Sequence, residues 1–464
     1  MPSGKWNAKA SKHNASFTVH FLYILQFTHS ISMKFKFVLL LSISLNFTAF
    51  AQTPEQLISK TDVERIIKTL SADDMQGRAT FTPGIEKAAR FIESEYKNIG
   101  LLPLSGNQDY RQNFNMFRST SLETFASVNN IVSPKENVFA ISGADSFNWS
   151  NDADVEVVKI SAEKNFINEY RTLLSSNKKT LVLVDPNFES LFKRLAARNL
   201  RGGISKEINP KQQLVFVLGD FTAVKAYNIK YTGKIEKLPL FNIAGMIPGK
   251  TKKEEYVVFS GHYDHLGIIK AIDGDSIANG ADDDASGTTA VIELARYYKK
   301  LNNNARTLIF VAFTAEEIGE FGSAYFATQI NPEKTSAMFN IEMIGKQSKF
   351  GVNTAFITGF ERSDFGTVLQ KNLEGTSFKF YPDPYPQQNL FYRSDNASLA
   401  RVGVPAHTIS TDQIDSDKLY HSVKDEFSSL DVNNITATIR AIALSSRSIV
   451  NGKDTPKRIP KLEE

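Results

Sequence analysis

Two histidines and a set of carboxylates stand at the ends of apolar runs in the second half of the chain. His262-Tyr263-Asp264 follows Val257-Val258-Phe259. Asp282-Asp283-Asp284 follow within twenty residues, just before a helical pattern. Glu316-Glu317 come after the seven-residue apolar run 307–313, Glu342 after 337–341, and Tyr420-His421 after 405–410. Neutral imidazoles and carboxylates are the donors that borderline and hard divalent cations prefer. Two imidazoles and at least three carboxylates suffice for two zinc ions with open positions. A water shared by such a pair becomes a nucleophile near neutral pH, and one further carboxylate acts as the general base.

These residues need a scaffold that presents several strand ends on one edge. Strands are expected at 256–260, 307–313, 337–341, 355–358 and 405–410, with helices at 286–300 and 432–449. The spacing of Ile85, Ala88, Ala89, Ile92, Tyr96 and Ile99 predicts a helix from Pro83 to Ile99, ended by Gly100. Thr61-x-x-Glu64 reads as a capping box before Ile66, Ile67 and Leu70. Strands alternating with helices predict an α/β fold, a three-layer sandwich on a largely parallel mixed sheet, in which ligands bind beyond the carboxyl ends of the strands. Between 126 and 236 the rhythm changes to short strands (155–160, 181–184, 214–218) among polar and helical segments, which predicts an inserted α+β domain. The catalytic domain is then expected at 52–125 and 237–452, with a polar tail at 453–464.

The bulk properties narrow the class. There is no cysteine, so disulfides, thiolate ligands and a cysteine nucleophile are excluded. The net charge of +4 comes from the first 51 residues, which hold five lysines and no acid; the rest carries 49 basic against 50 acidic residues, and no basic patch points to nucleic acid. Met33-Lys-Phe-Lys-Phe, the apolar run from Val38 and Ala49-Phe50-Ala51 form a Sec signal peptide at 33–51. Residues 1–32 then read as an upstream extension, and the mature chain as exported, periplasmic or extracellular, with no stable membrane anchor. Ser286 does not sit in a GxSxG elbow, so a serine nucleophile is rejected.

The motifs GHYDHLG, GADDDASG, FTAEEIG, NIEMIG and YHSVKDE, in this order, resemble those of the co-catalytic di-zinc aminopeptidases. That family also contains glutamate carboxypeptidases and glutaminyl cyclases. The likeness covers about 240–450, and DDMQGR with TPGIEKAARFIESEYKNIGL is similar to its usual opening. The inserted region stands where many members carry a protease-associated domain. The resemblance implies one zinc held by His262 and Glu342, a second by Glu317 and His421, and Asp283 bridging both. It implies Glu316 as general base, Asp264 behind the His262 ring, and Tyr420 as donor to the developing oxyanion. Glu342 stands where Asp is frequent, and Asn396 where His is common, with Asp395 beside it as a candidate for the substrate pocket. His265 and His407 take no required role and read as structural or supporting. The implied activity is hydrolysis of N-terminal residues from peptide substrates. A carboxypeptidase using Arg393, a one-zinc glutaminyl cyclase and a non-catalytic binding protein are the rivals. The oligomeric state is not legible in the sequence.

Overall fold

The structure, a computed structural model, describes residues 53–462; the expected extension and signal peptide lie outside the described residues. The elements that matter to the site are strands β1 (Arg111–Val128), β2 (Val138–Ser142), β3 (Val155–Ile160), β4 (Lys179–Val184), β5 (Gln213–Leu218), β6 (Tyr227–Ile247), β7 (Lys252–His262), β8 (Arg306–Phe313), β9 (Thr335–Ile341), β10 (Thr354–Ile357), β11 (Lys379–Pro382) and β12 (Ala406–Ser410). The helices are α1 (Lys60–Leu70), α2 (Pro83–Ile99), α3 (Gly287–Leu301), α4 (Phe321–Gln329), α5 (Phe365–Asn372) and α6 (Val432–Ser445).

The main sheet runs β11-β10-β12-β9-β7-β8-β6-β1. Its centre is parallel: β7 pairs in that sense with β8 and β9, and β9 with β12. The flanks are antiparallel, β6 with β8 and with β1, and β10 with β12. Every residue of β8 and β9 is buried, as expected of strands covered on both faces. Val257, Phe259, Leu308, Phe310 and Phe339 face α1, α2, α3, α5 and α6 in one core. Their neighbours Val258, Ile309, Val311 and Met338 face Phe326 of α4, together with Leu399 and Ala400, in a second. The period-2 alternation of a strand therefore feeds two helical layers, giving the expected three-layer α/β sandwich.

Strands β1 and β6 pair from Arg111↔Ile243 to Val128↔Tyr227, continuing past the main sheet. The expected boundaries at 126 and 236 fall inside these strands. Their far ends, with Trp149, pack against one face of a second sheet of order β2-β5-β4-β3. Helices 166–174 and 189–199 cover its other face through Phe166 and Phe192.

Local signals explain most element ends. α2 starts at Pro83 and stops where Gly100 turns left-handed at φ 80°, the conformation that glycine adopts without a Cβ penalty. α1 departs from the expected capping box: Ser59, not Thr61, is the cap. Ser59 has extended backbone, and its Oγ accepts from the Asp62 N–H at 3.0 Å, while Thr61 lies inside the first turn. Lys379–Pro382 forms edge strand β11 beside β10; an edge position tolerates a proline that cannot donate.

Arg78 gives the turn between α1 and α2 a role. Its guanidinium is fully buried and donates to the carbonyls of Leu70, Tyr263, Asn279 and Gly280 at 2.6–3.0 Å. One side chain thus ties the first helix to the loop after β7 and to the loop that enters α3. Replacing it by Met strands several buried carbonyls, each costing about 1–3 kcal/mol. Arg78→Met is expected to lower stability by about 3 kcal/mol or more in urea unfolding at unchanged m-value; a loss under about 1 kcal/mol would mean that the loops hold together without it.

Candidate active site

Four neighbouring parallel strands, β8, β7, β9 and β12, end on one edge of the sheet, and the polar groups stand just beyond them. His262 is the last residue of β7. The chain reverses after β8 through Ala315 at φ 60° and presents Glu316 and Glu317. Glu342 follows β9 directly, next to Met343 at φ 51°. His421, at φ 55°, lies in the long segment after β12. Left-handed backbone at non-glycine residues costs about 1–3 kcal/mol each and clusters at functional sites.

Of the aspartate triplet, only the middle residue faces the imidazoles. Asp283 Oδ1 lies 3.1 Å from His262 Nε2, and Asp283 Oδ2 lies 3.3 Å from His421 Nε2. Asp282 Oδ1 accepts from the Gly345 N–H at 2.7 Å, and its Oδ2 lies 3.2 Å from Lys346 Nζ. Asp284 accepts from the backbone N–H groups of His262, Gly287 and Met343 at 3.0–3.1 Å. The outer two carboxylates therefore fasten three strand-end loops together while the middle one spans the gap between two histidines. Asp425 fixes the triplet from behind, accepting from the N–H groups of Asp282 and Asp283 at 3.0 Å.

Glu317 lies between two histidines. Its Oε2 is 3.2 Å from His421 Nε2, and its Oε1 is 2.7 Å from His265 Nδ1. His265 is thus a neighbour of the candidate ligands, and its Nδ1 also comes within 3.8 Å of Asp283. The available signal was its place three residues after His262 in one loop. His407, by contrast, is satisfied in the core: Nδ1 meets the Thr358 carbonyl at 2.8 Å and Nε2 meets Ser363 Oγ at 2.7 Å. Burial, the larger effect, lowers it to about 4.

Asp264 meets the His262 ring through its backbone. The His262 Nδ1 lies 3.1 Å from the Asp264 backbone carbonyl, whereas the Asp264 carboxylate stands 3.9 Å away. That carboxylate accepts instead from the N–H groups of Glu316 and Glu317, at 3.1 and 3.4 Å. A carbonyl at Nδ1 selects the tautomer protonated there and leaves Nε2 as the lone-pair nitrogen. Asp395 is fully buried, and Arg393 and Ser394 line the adjoining cavity in its place. Asn396 packs as a core amide, donating to the Phe391 carbonyl and accepting from Thr408 Oγ1.

Glu316 Oε2 lies 4.0 Å from His262 Nε2, and Glu342 is held by the Ser394 hydroxyl. Tyr420 stacks on His421 with ring centroids 3.8 Å apart, and it lines a cavity together with Glu342. His262 is 1% exposed and His421 38% exposed, so the site opens to solvent on the His421 side. The charge balance is lopsided. Burial pushes the Glu342 and Asp264 carboxyls up to about 7 and raises Glu316 and Asp395 well above the usual carboxylate range. His421 moves the other way: burial would lower it, but Asp283 and Glu317 carry it up to about 10.

This donor set fits a divalent cation. His262 Nε2 and His265 Nε2 are buried and make no hydrogen bond, which is costly for a polar atom without a partner. Oxygens of Asp283 and Glu317 converge with the His265 nitrogen, all within 4.8 Å of one another. Added positive charge would relieve both the orphaned His262 nitrogen and the crowded carboxylates.

Residues 242–445 match the profile of peptidase family M28. Leucine aminopeptidase 1 of Ajellomyces capsulatus is 30% identical over 210 residues, 42% of this chain and 52% of that protein. A probable zinc metalloprotease of Leptosphaeria maculans is 34% identical over 142 residues, 29% of this chain and 32% of its own length. The chain therefore spans about half or less of these curated relatives. The crystal structure of a zinc aminopeptidase from Bacillus subtilis superimposes with a TM-score of 0.51 at 16% identity, over 86% of this chain and 97% of that one, a likeness of fold. The profile match covers β7 to α6 and every residue that meets at the strand ends, so this part of the chain is similar to peptidase family M28.

Proposed function

We propose that the protein is a zinc-dependent aminopeptidase acting on peptides, with two zinc ions per chain. The observation that carries this reading is Asp283, whose two carboxylate oxygens face different imidazoles, His262 and His421. A single carboxylate spanning two histidine sites is the donor geometry for a pair of cations and is superfluous for one. His262 with Glu342, and His421 with Glu317, would complete the two sites. Zinc held there supplies Lewis-acid polarisation of the scissile carbonyl and acidifies the attacking water.

The remaining chemistry belongs to the protein's own groups. Glu316 has its backbone fixed by Asp264 and its carboxylate near His262. It accepts the proton of the attacking water and delivers it to the leaving amine. Burial raises its proton affinity, which suits a group that must hold a proton between the two steps. The Tyr420 hydroxyl donates to the oxyanion as it develops. Asp264 keeps His262 in the required tautomer through its carbonyl. The motifs and the apolar run at 33–51 support an exported enzyme.

The second reading is a carboxypeptidase, favoured by Arg393, an exposed cation lining the same cavity. Elemental analysis of purified protein together with hydrolysis of free and N-acetylated peptides separates the two. About two zinc ions per chain and cleavage only of free N-termini are expected; cleavage indifferent to acetylation would favour the carboxypeptidase.

Glu316→Gln is expected to bind zinc normally and lose about 10²–10⁴-fold in kcat; wild-type turnover would remove Glu316 from the mechanism. Asp283→Ala is expected to lose bound zinc on dialysis, read by mass spectrometry. Retention of both ions would transfer the spanning role to a neighbour.

A further inference from the structure

A cavity opens beside the carboxylate cluster, with Glu342 and Tyr420 in its lining. Its walls include Met343, Phe356, Leu390 and Ile414, which suit the methylene stem of a side chain. Thr358, Ser394, Thr408 and Ser410 also line it, and Asp412 brings a buried acid to the wall. Asp412 is 4% exposed, and its Oδ1 accepts no hydrogen bond. Asp282 and Asp417 stand beside it, with one oxygen of each of the three residues within 4.8 Å of the others. Among the described residues Lys346 is the cation paired with this group, its Nζ 2.5 Å from Asp417 and 3.2 Å from Asp282. Three carboxylates thus share one ammonium, which is committed to two of them.

We infer that this cavity receives the side chain of the substrate's N-terminal residue and that Asp412 makes it selective for a basic one, lysine or arginine. The inference rests on the aminopeptidase reading. A lysine or arginine side chain lays its aliphatic stem along apolar walls and places its charge at the end. That is the pattern here, apolar walls and a buried, under-compensated carboxylate. An unpaired buried carboxylate attracts a cation far more strongly than an exposed one, because the local dielectric is low. Burial, then Asp282 and Asp417, push the Asp412 carboxyl up to about 8, as expected of a group short of positive charge. Arg393 lines the same cavity and would favour an acidic side chain instead. It is exposed, however, and bonds to Gln388 on its own loop, so its charge is already solvated. Lys346 makes a metal ion at the same three carboxylates redundant.

The test uses the zinc-loaded, full-length enzyme and amino-acid p-nitroanilides of Lys, Arg, Leu and Glu. The expected result is a kcat/KM for Lys and Arg at least tenfold above that for Leu, with Glu lowest. Asp412→Asn should bring the Lys-to-Leu ratio close to one, and Asp412→Glu, which keeps the charge, should retain a preference for Lys. Ile414→Lys, which introduces a competing ammonium into the same cavity, should lower the ratio too and serves if Asp412→Asn does not fold. A wild-type enzyme that prefers Leu or Glu, or a ratio unchanged in both Asp412→Asn and Ile414→Lys, overturns the assignment while leaving the aminopeptidase reading intact. Failure to cleave any free-amino anilide, with N-acetylated peptides still hydrolysed, overturns both.

Discussion

The constraint on which the rest of the structure depends is the crowding of buried acids at one sheet edge. Asp264, Asp282, Asp283, Asp284 and Asp395 are all buried there, with Glu342, Glu316 and Glu317 partly buried beside them. Burying that much negative charge is prohibitive unless each group is paired, hydrogen-bonded or protonated. The molecule divides the acids accordingly. Asp284 and Asp425 are spent on backbone N–H groups, and Asp282 on Gly345 and Lys346. What remains, Asp283, Glu317, Glu342 and Glu316, is too much charge for His262, His265 and His421 to balance. That residue of uncompensated charge is the part of the structure that asks for metal.

The same constraint accounts for the placement of Arg78. A fully buried guanidinium is expensive, and burial lowers its proton affinity, but Asp283, Asp425, Asp284 and Asp264 act in the other direction. Its hydrogen bonds go to carbonyls and not to carboxylates. It therefore contributes positive potential beneath the acids without occupying their lone pairs, and those of Asp283 stay directed at the histidines. A lysine could not reach four carbonyls with three donors, whereas the planar fork has five.

Much of this was legible in the sequence because it rests on local pattern. Continuous apolar runs gave β7, β8, β9 and β12 within a few residues, and the α2 helix with its terminal glycine was readable from period and cap. The strand-end positions of His262, Glu316, Glu317, Glu342 and His421 followed from those runs. Groups whose role depends on pairs distant in sequence were less visible. His265 reaches Glu317 across 52 positions and Arg78 reaches Tyr263 across 185, and no spacing rule connects them. Asp412 belongs to a cavity assembled from four separate segments. The Ser59 cap was passed over because Thr61 and Ser59 offer equivalent hydroxyls, and only backbone conformation selects between them. Strand β11 was hidden because prolines mask an edge strand that has only one partner to satisfy.

Asp264 shows why the strand-end arrangement is more than a collection of donor groups. Its carbonyl holds His262 Nδ1 while its carboxylate holds the backbone of Glu316 and Glu317. One residue thereby sets the tautomer of an imidazole on β7 and the position of two carboxylates beyond β8. A side chain that touched only the ring would leave Glu316 on a mobile turn. A contact to the turn alone would leave the imidazole free to present the wrong nitrogen. Because both links pass through a fully buried residue, displacement of either partner is felt by the other. The distance between Glu316 and the imidazole is then a property of the sheet, β7 and β8 being hydrogen-bonded neighbours up to His262 and Phe313, and not of the loops that carry the side chains.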